Sequence, residues 1–278
     1  MLMPQRYPAG LQVLSTVLIV VSEQRGGEHV ADKSVEMQCL EKVLAAPRPR
    51  GSVAKGIYEM LNNAVLISDD EQECPDFVFT YENSIVGIEH FLVDVLITER
   101  GSNARLVNRC AQEYWKSNKR QSSRKAIKRA HHAPAVKRQL DIGKSSFTES
   151  RFMHEFQRVA AKHSASVKRY RANLECEYDK HCLVGALIEM PCQTDGHFVL
   201  HYGSGQHEKR TLNCVPLPYN LIALMKRTLR EFDFVLVLAE TLLNDKMYDS
   251  KVYCFTADTL DRAIMEQRIP TCSSFTVI

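Results

Sequence analysis

Cys74-Pro75-Asp76-Phe77-Val78-Phe79-Thr80-Tyr81-Glu82-Asn83-Ser84-Ile85-Val86-Gly87-Ile88-Glu89-His90-Phe91-Leu92-Val93-Asp94 decides the reading of this chain, because it has the pattern of a β-hairpin with acids on both strands. Phe77 to Tyr81 is aromatic and β-branched, Glu82-Asn83-Ser84 is a polar turn, and Ile85 to Val95 is a second apolar strand. Asp76 opens the first strand and Glu89 lies inside the second. A carboxylate within an apolar strand is costly to bury unless something pairs with it, and a divalent cation can serve two of them. The alternative is structural: Asp76 caps a turn after Pro75, and Glu89 pairs with a basic residue of a covering helix.

Pro75-Asp76, twelve intervening residues, then Glu89 closing the run Ile85-Val86-Gly87-Ile88 resembles the core of the PD-(D/E)xK nuclease superfamily. Cys-Pro-Asp-Phe followed by Gly-Ile-Glu-His-Phe is similar to an uncharacterised bacterial branch placed near those enzymes. The likeness covers mainly residues 36–96, with a looser similarity near Pro216-Leu217-Pro218 and over Phe234 to Glu240. It implies that Asp76 and Glu89 hold Mg²⁺ or Mn²⁺, and that a lysine two residues after Glu89 positions or activates water. That position is Phe91. Strand alternation puts Glu89 on one face with Gly87, Phe91 and Val93, and Ile88, His90, Leu92 and Asp94 on the other. His90 is the nearest titratable candidate for the missing base, but a bulge would have to bring it beside Glu89.

Two helices are expected before the hairpin. Asp32 to Ala45 carries Val35, Leu40, Val43 and Leu44 and stops at Pro47-Arg48-Pro49, and Val53 to Ala64 places Ile57, Met60, Leu61 and Ala64 at helical spacing. In the resembling family the first helix often adds an acid to the metal site. Glu41 is the candidate here and Glu36 the alternate, each with a plain helix-surface role as its competing explanation. Val65-Leu66-Ile67 reads as a short strand.

After the hairpin the charge changes abruptly. Residues 100–138 hold twelve Lys/Arg against the single acid Glu113, a segment of +11 in a chain of +3 overall, so the remainder carries −8. A field of one sign directly after the acidic hairpin suits a polyanion. Arg105, Arg109, Lys116, Lys119 and Arg120 fall on an expected helix, with Tyr114 and Trp115 either packing it or stacking on a base. The competing reading is a solvated arm, within a basic, partly flexible insertion spanning residues 98–145. A basic segment of this kind would also suit an acidic protein partner.

Ser146-Phe147-Thr148-Glu149 has capping-box form and opens a long helix to about Leu174, whose seam is Phe152, Phe156, Val159, His163, Val167, Tyr170 and Leu174. His163 there reads as a ligand or as a packing histidine. The other face, with Arg151, Arg158, Lys162, Lys168 and Arg169, extends the basic surface. Strands follow at Leu183 to Met190, which contains Glu189, and at Phe198 to Tyr202. A helix is expected over Leu221 to Glu231, then a strand over Phe234 to Leu238, apolar enough for a sheet covered on both faces, and a final strand over Lys251 to Phe255.

Composition narrows the remaining choices. Nine scattered cysteines without a CxxC pair argue against a disulfide framework and for reduced thiols in a cytoplasmic protein. Cys176, Cys182, Cys192 and His197 match no common zinc spacing. The apolar run Leu11 to Val21 is shorter than a membrane span and reads as a buried strand, with a signal peptide as the alternative. P-loop, Rossmann, GxSxG and HExxH patterns are absent, which leaves nucleotide hydrolysis, nicotinamide chemistry, serine hydrolysis and zincin proteolysis without support. The expectation is an α/β chain, residues 1–278, with a restriction-endonuclease-like mixed central sheet flanked by helices and a basic helical insertion. The expected function is metal-dependent hydrolysis of DNA or RNA. The alternative is a catalytically inactive nuclease-like module that binds nucleic acid or protein.

Overall fold

A computed structural model of the chain describes residues 30–68, 75–95, 147–192, 197–212, 214–241 and 249–277. The expected strand over Leu11 to Val21 and the basic segment lie outside the described residues.

Two helices, α1 (Val30–Ala45) and α2 (Ser52–Asn63), precede the strands β1 (Val65–Ser68), β2 (Phe77–Tyr81) and β3 (Ser84–Leu92). The long helix α3 (Glu149–Tyr178) leads to β4 (His181–Cys192). After β5 (His197–His201), β6 (His207–Thr211) and β7 (Leu217–Pro218) comes α4 (Tyr219–Thr228), then β8 (Phe234–Thr241) and β9 (Asp249–Phe255). The described chain closes with α5 (Leu260–Glu266), β10 (Thr271–Cys272) and β11 (Ser274–Val277).

Six of these strands form one mixed sheet in the order β1-β2-β3-β4-β8-β9. β1, β2 and β3 are antiparallel neighbours, β3, β4 and β8 run parallel, and β9 returns antiparallel at the far edge. The parallel pairing of β3 with β4 requires a crossover, and α3 lies within that connection. β5, β6 and β11 form a separate antiparallel sheet in the order β11-β5-β6.

Both faces of the central sheet are covered. Val78, Ile85, Phe91, Val93, Val184, Ala186 and Ile188 point to the face that packs on Phe152, Phe156, Val167 and Leu174 of α3. Phe77, Phe79, Val86, Ile88, Leu187 and Leu236 point to the face that packs on Leu40 and Val43 of α1 and on Tyr58 and Leu61 of α2. β8 divides its apolar residues between the two faces, as expected of a strand buried on both sides. The Tyr58 hydroxyl donates to the Val43 carbonyl at 3.1 Å and joins the two covering helices.

Several boundaries differ from the sequence expectation. The start of α3 is capped by Thr148, whose hydroxyl accepts the Arg151 N–H at 3.3 Å, while Ser146 of the expected capping box lies outside the described residues. Glu149 accepts the Phe275 N–H at 2.6 Å, which binds the first turn of α3 to β11. α3 continues beyond Leu174 to Tyr178 and ends at Asp179 in the left-handed conformation. The strand expected at Lys251 to Phe255 is not the last, because α5, β10 and β11 follow it. β6 was hidden from an apolar pattern because His207 to Thr211 are all exposed and polar.

Candidate functional site

The hairpin register fixes where the acids lie. Phe77 pairs with Ile88 and Val78 with Gly87, so one further step places Asp76 across from Glu89 at the end of β2. The carboxylate of Asp76 accepts the backbone N–H of His90 at 2.7 Å. Burial pushes its pKa up from 3.8 to about 7, and the nearby Glu89 carboxylate adds to the rise; the His90 N–H opposes it, Glu36 raises it further and His90 lowers it slightly. Three carboxylates, from α1, the start of β2 and β3, therefore share one electrostatic environment.

Glu89 is buried at the interface with α3. His163 Nδ1 lies 2.6 Å from Glu89 Oε1, and the Tyr170 hydroxyl donates to the same oxygen at 2.8 Å. These two donors are seven residues apart, two turns along one stripe of α3. His163 Nδ1 faces the carboxylate oxygen, so with the ring proton on Nδ1 the imidazole donates to Glu89 and Nε2 is its lone-pair nitrogen. The imidazole also stacks on Phe91, with ring centroids 4.8 Å apart and planes 13° from parallel. The position at which the resembling family has a lysine thus supports the ring that reaches Glu89. Burial and the Glu89 charge push the Tyr170 pKa up to about 12, which keeps its hydroxyl a donor.

His90 faces away from this group. β3 runs without a bulge through its pairing with β4, and the His90 side chain, 2% exposed, sits on the α1 face. Its Nδ1 is 4.0 Å from Glu36 Oε1 and its Nε2 is 3.4 Å from Glu189 Oε2. The His90 ring is therefore not brought to Glu89; its backbone N–H is what reaches Asp76. Of the two candidate acids on α1, Glu41 is exposed, whereas Glu36 contributes to the field at Asp76. Glu36, Cys39, Leu40 and Val43 fall at helical spacing on the stripe that meets the sheet, while Glu41 falls off it. Cys39 Sγ, a His90 ring nitrogen and a Glu189 carboxylate oxygen all lie within 4.8 Å of one another, and all three residues are buried.

The expected nucleic-acid ligands Arg105, Arg109, Lys116, Lys119 and Arg120 lie outside the described residues, as do Tyr114 and Trp115. Cys176 is exposed and Cys182 is buried. Cys182 Sγ is 3.3 Å from the Lys180 carbonyl. No described helix is long and apolar enough to cross a membrane.

Sequence reasoning placed His163 and Tyr170 on the packing seam and Glu189 in a buried strand, but it did not connect them to the hairpin. Cys39 stands in the sequence as one of nine scattered cysteines with no ligand spacing around it. The signal for the α1 group was present, since Glu36 and Cys39 share the i, i+3 spacing of the apolar stripe. Comparison of the chain with models of known families, with curated proteins and with solved structures finds no match.

Proposed function

We propose that the chain is a metal-dependent phosphodiesterase acting on nucleic acid, with Asp76 and Glu89 as cation ligands and Glu36 as a neighbouring acid. The observation that carries this reading is the state of Asp76, a carboxylate mostly removed from water and set beside two further carboxylates. Such a cluster is electrostatically expensive and is relieved by a bound cation. The donor set fits Mg²⁺ or Mn²⁺, which take oxygen ligands and are commonly bound by one or two carboxylates together with substrate phosphate. Both donors to Glu89 converge on Oε1, and among the described residues no hydrogen bond is made to Oε2, which remains to serve as a ligand oxygen.

The bound ion would acidify a water molecule and offset charge on the scissile phosphate. Tyr170 and His163 fix the Glu89 carboxylate, and the His90 N–H fixes Asp76. His163, 18% exposed at the side chain, presents Nε2 as a basic nitrogen in place of the family's lysine. A net positive lining suits a polyanionic substrate: a cavity of about 350 Å³ between α3 and the end of α4 is lined by Ser164, Lys168, Arg227 and Arg230 together with Glu231, which pairs with Arg230. Its Ser164 directly follows His163 in the chain.

The test is cleavage of labelled single- and double-stranded DNA and RNA with Mg²⁺ or Mn²⁺, comparing the full chain with Asp76→Ala, Glu89→Ala and His163→Ala. Metal-dependent cutting should disappear in the two acid variants and fall by about 10²–10⁴-fold in His163→Ala, the usual contribution of a positioned acid or base. Failure of the wild type to cut any of these substrates, while salt-sensitive binding persists, would replace the reading with that of an inactive nucleic-acid-binding scaffold.

A further inference from the structure

On the opposite face of β3, we propose a second and chemically different metal site, in which Cys39, His90 and Glu189 bind one zinc-like ion and clamp α1 to the β3–β4 pair. The three ligand groups come from three elements that are distant in sequence, and their ligating atoms lie within 4.8 Å of one another in a buried setting. In a tetrahedral site with Zn–N and Zn–O bonds of about 2.0–2.1 Å, the nitrogen and oxygen lie about 3.3–3.4 Å apart. His90 Nε2 and Glu189 Oε2 are 3.4 Å apart. That separation is longer than the roughly 2.7–2.9 Å of a direct charge-assisted hydrogen bond. His90 Nε2 is buried and makes no hydrogen bond.

The other ring nitrogen supports the same assignment. A metal-bound histidine ordinarily offers its second nitrogen to a carboxylate, which sets the tautomer and the ring orientation. Glu36 Oε1 stands 4.0 Å from His90 Nδ1, on the side of the ring away from Glu189. One thiolate, one imidazole and one carboxylate form a mixed set of the kind that suits Zn²⁺ rather than Mg²⁺, which prefers oxygen alone. Three protein ligands leave a fourth position for water. Binding releases the Cys39 thiol proton to solvent as the thiolate–metal bond forms. Cys39 and Leu40 are adjacent on the buried stripe of α1, so the ion joins that stripe to the sheet at its polar end. The backbone of His90 holds Asp76, which makes this clamp the support beneath the oxygen-ligand site. The proposal does not depend on the chain cutting nucleic acid.

The experiment is Co²⁺ and Zn²⁺ titration of the reduced, chelator-treated full chain. One Co²⁺ per chain should give thiolate-to-cobalt charge-transfer absorption in the near ultraviolet, lost in Cys39→Ser and kept in Cys176→Ser, which removes an exposed thiol. Glu36→Gln should keep the absorption while weakening Zn²⁺ binding by about 10–100-fold, as loss of a supporting carboxylate does. Cobalt held by Asp76 and Glu89 alone would show no thiolate band, which separates the two sites. Should Cys39→Ser fail to fold, zinc-edge X-ray absorption of the wild type decides: a single sulfur among nitrogen and oxygen neighbours supports the site. No sulfur, or several, overturns it, as does a thiolate band that survives in folded Cys39→Ser.

Discussion

The two faces of β3 solve the same problem in opposite ways. On the α3 face, Glu89 is met by two hydrogen-bond donors on one oxygen, and His163 beside it keeps 18% of its side chain in solvent. On the α1 face, His90 is met by acids on both sides of its ring and keeps 2%. One residue of separation along the strand sends two equally buried side chains, Glu89 and His90, to opposite faces with opposite partners. On the α3 face a carboxylate is held by donors, and on the α1 face an imidazole is held between carboxylates. Asp76 joins them, since its carboxylate rests on the His90 backbone while its charge is set against Glu89 and Glu36.

The largest expected effect comes from that junction. A carboxyl whose pKa is higher in the folded than in the unfolded chain favours folding while protonated, so its contribution is lost as pH rises through the interval between the two values. With Asp76 raised from 3.8 to about 7, the folded chain without divalent metal should lose up to about 4 kcal/mol between pH 4 and pH 7 from this one group. Asp76→Asn should erase that loss, and is therefore expected to be more stable than wild type at pH 8 in chelator and nearly equal to it at pH 4. Urea denaturation of both proteins across that range measures the difference, from which other titrating groups largely cancel. A difference independent of pH would remove Asp76 from the role of shared, charge-stressed ligand. Mg²⁺ should narrow the gap at pH 8 by stabilising the wild type alone.

A pair of glycines probes the packing on the two faces next. Gly87 shares the Glu89 face, where an added Cβ would come within 2.7 Å of Pro75 Cγ and 2.9 Å of Leu174 Cδ1. Gly185, paired with Ile88 on the other face, would bring a Cβ within 2.2 Å of the Phe234 ring. Both substitutions to alanine overpack the core, a change that costs about 1–3 kcal/mol, and Gly185→Ala should lie at the upper end because a buried ring has nowhere to move. Gly87→Ala should lie lower, since its closest approach, 2.7 Å to the Pro75 ring, is less severe and the leucine tip can rotate. Equal losses in urea denaturation would mean that the two faces are equally rigid.

Much of this arrangement was legible in the chain. Period-two alternation from Ile85 to Val93 separated Glu89 from His90, and the alternating three- and four-residue intervals from Phe152 to Leu174 gave the α3 seam. The pairing of that seam with the hairpin was not legible. Contacts such as Tyr170 to Glu89, 81 residues apart, depend on the parallel crossover, and local periodicity carries no information about which strand a helix covers. The choice between Glu41 and Glu36 on α1 was not legible for a similar reason. Glu41 flanks the apolar stripe and Glu36 continues it, and only the direction in which α1 crosses the sheet makes the second one approach Asp76. β6 lacked any apolar signature because its pairing with β5 rests on backbone hydrogen bonds, which are independent of side-chain type.

The finest distinction lies within the α3 face, between the two groups that meet Glu89 Oε1. Tyr170→Phe removes the hydroxyl's bond to Glu89 and its contacts with Ser166 and Arg169, neither of them buried. It does not strand the buried carboxylate, because His163 still meets the same oxygen and the phenyl ring fills the same space on α3. The loss should therefore be about 1 kcal/mol, near the net value of one hydrogen bond, rather than the larger penalty of an unsatisfied buried carboxylate. Since burial and Glu89 hold the Tyr170 pKa near 12, the hydroxyl is a donor through neutral pH, and the loss should not vary between pH 6 and pH 8. His163 differs in kind, because an imidazole has a second ring nitrogen that can itself accept or hold a proton. A Tyr170→Phe penalty that grew towards pH 8 would mean that the tyrosine compensates for a weakening His163 contact, and that the two donors act as one coupled unit on the carboxylate.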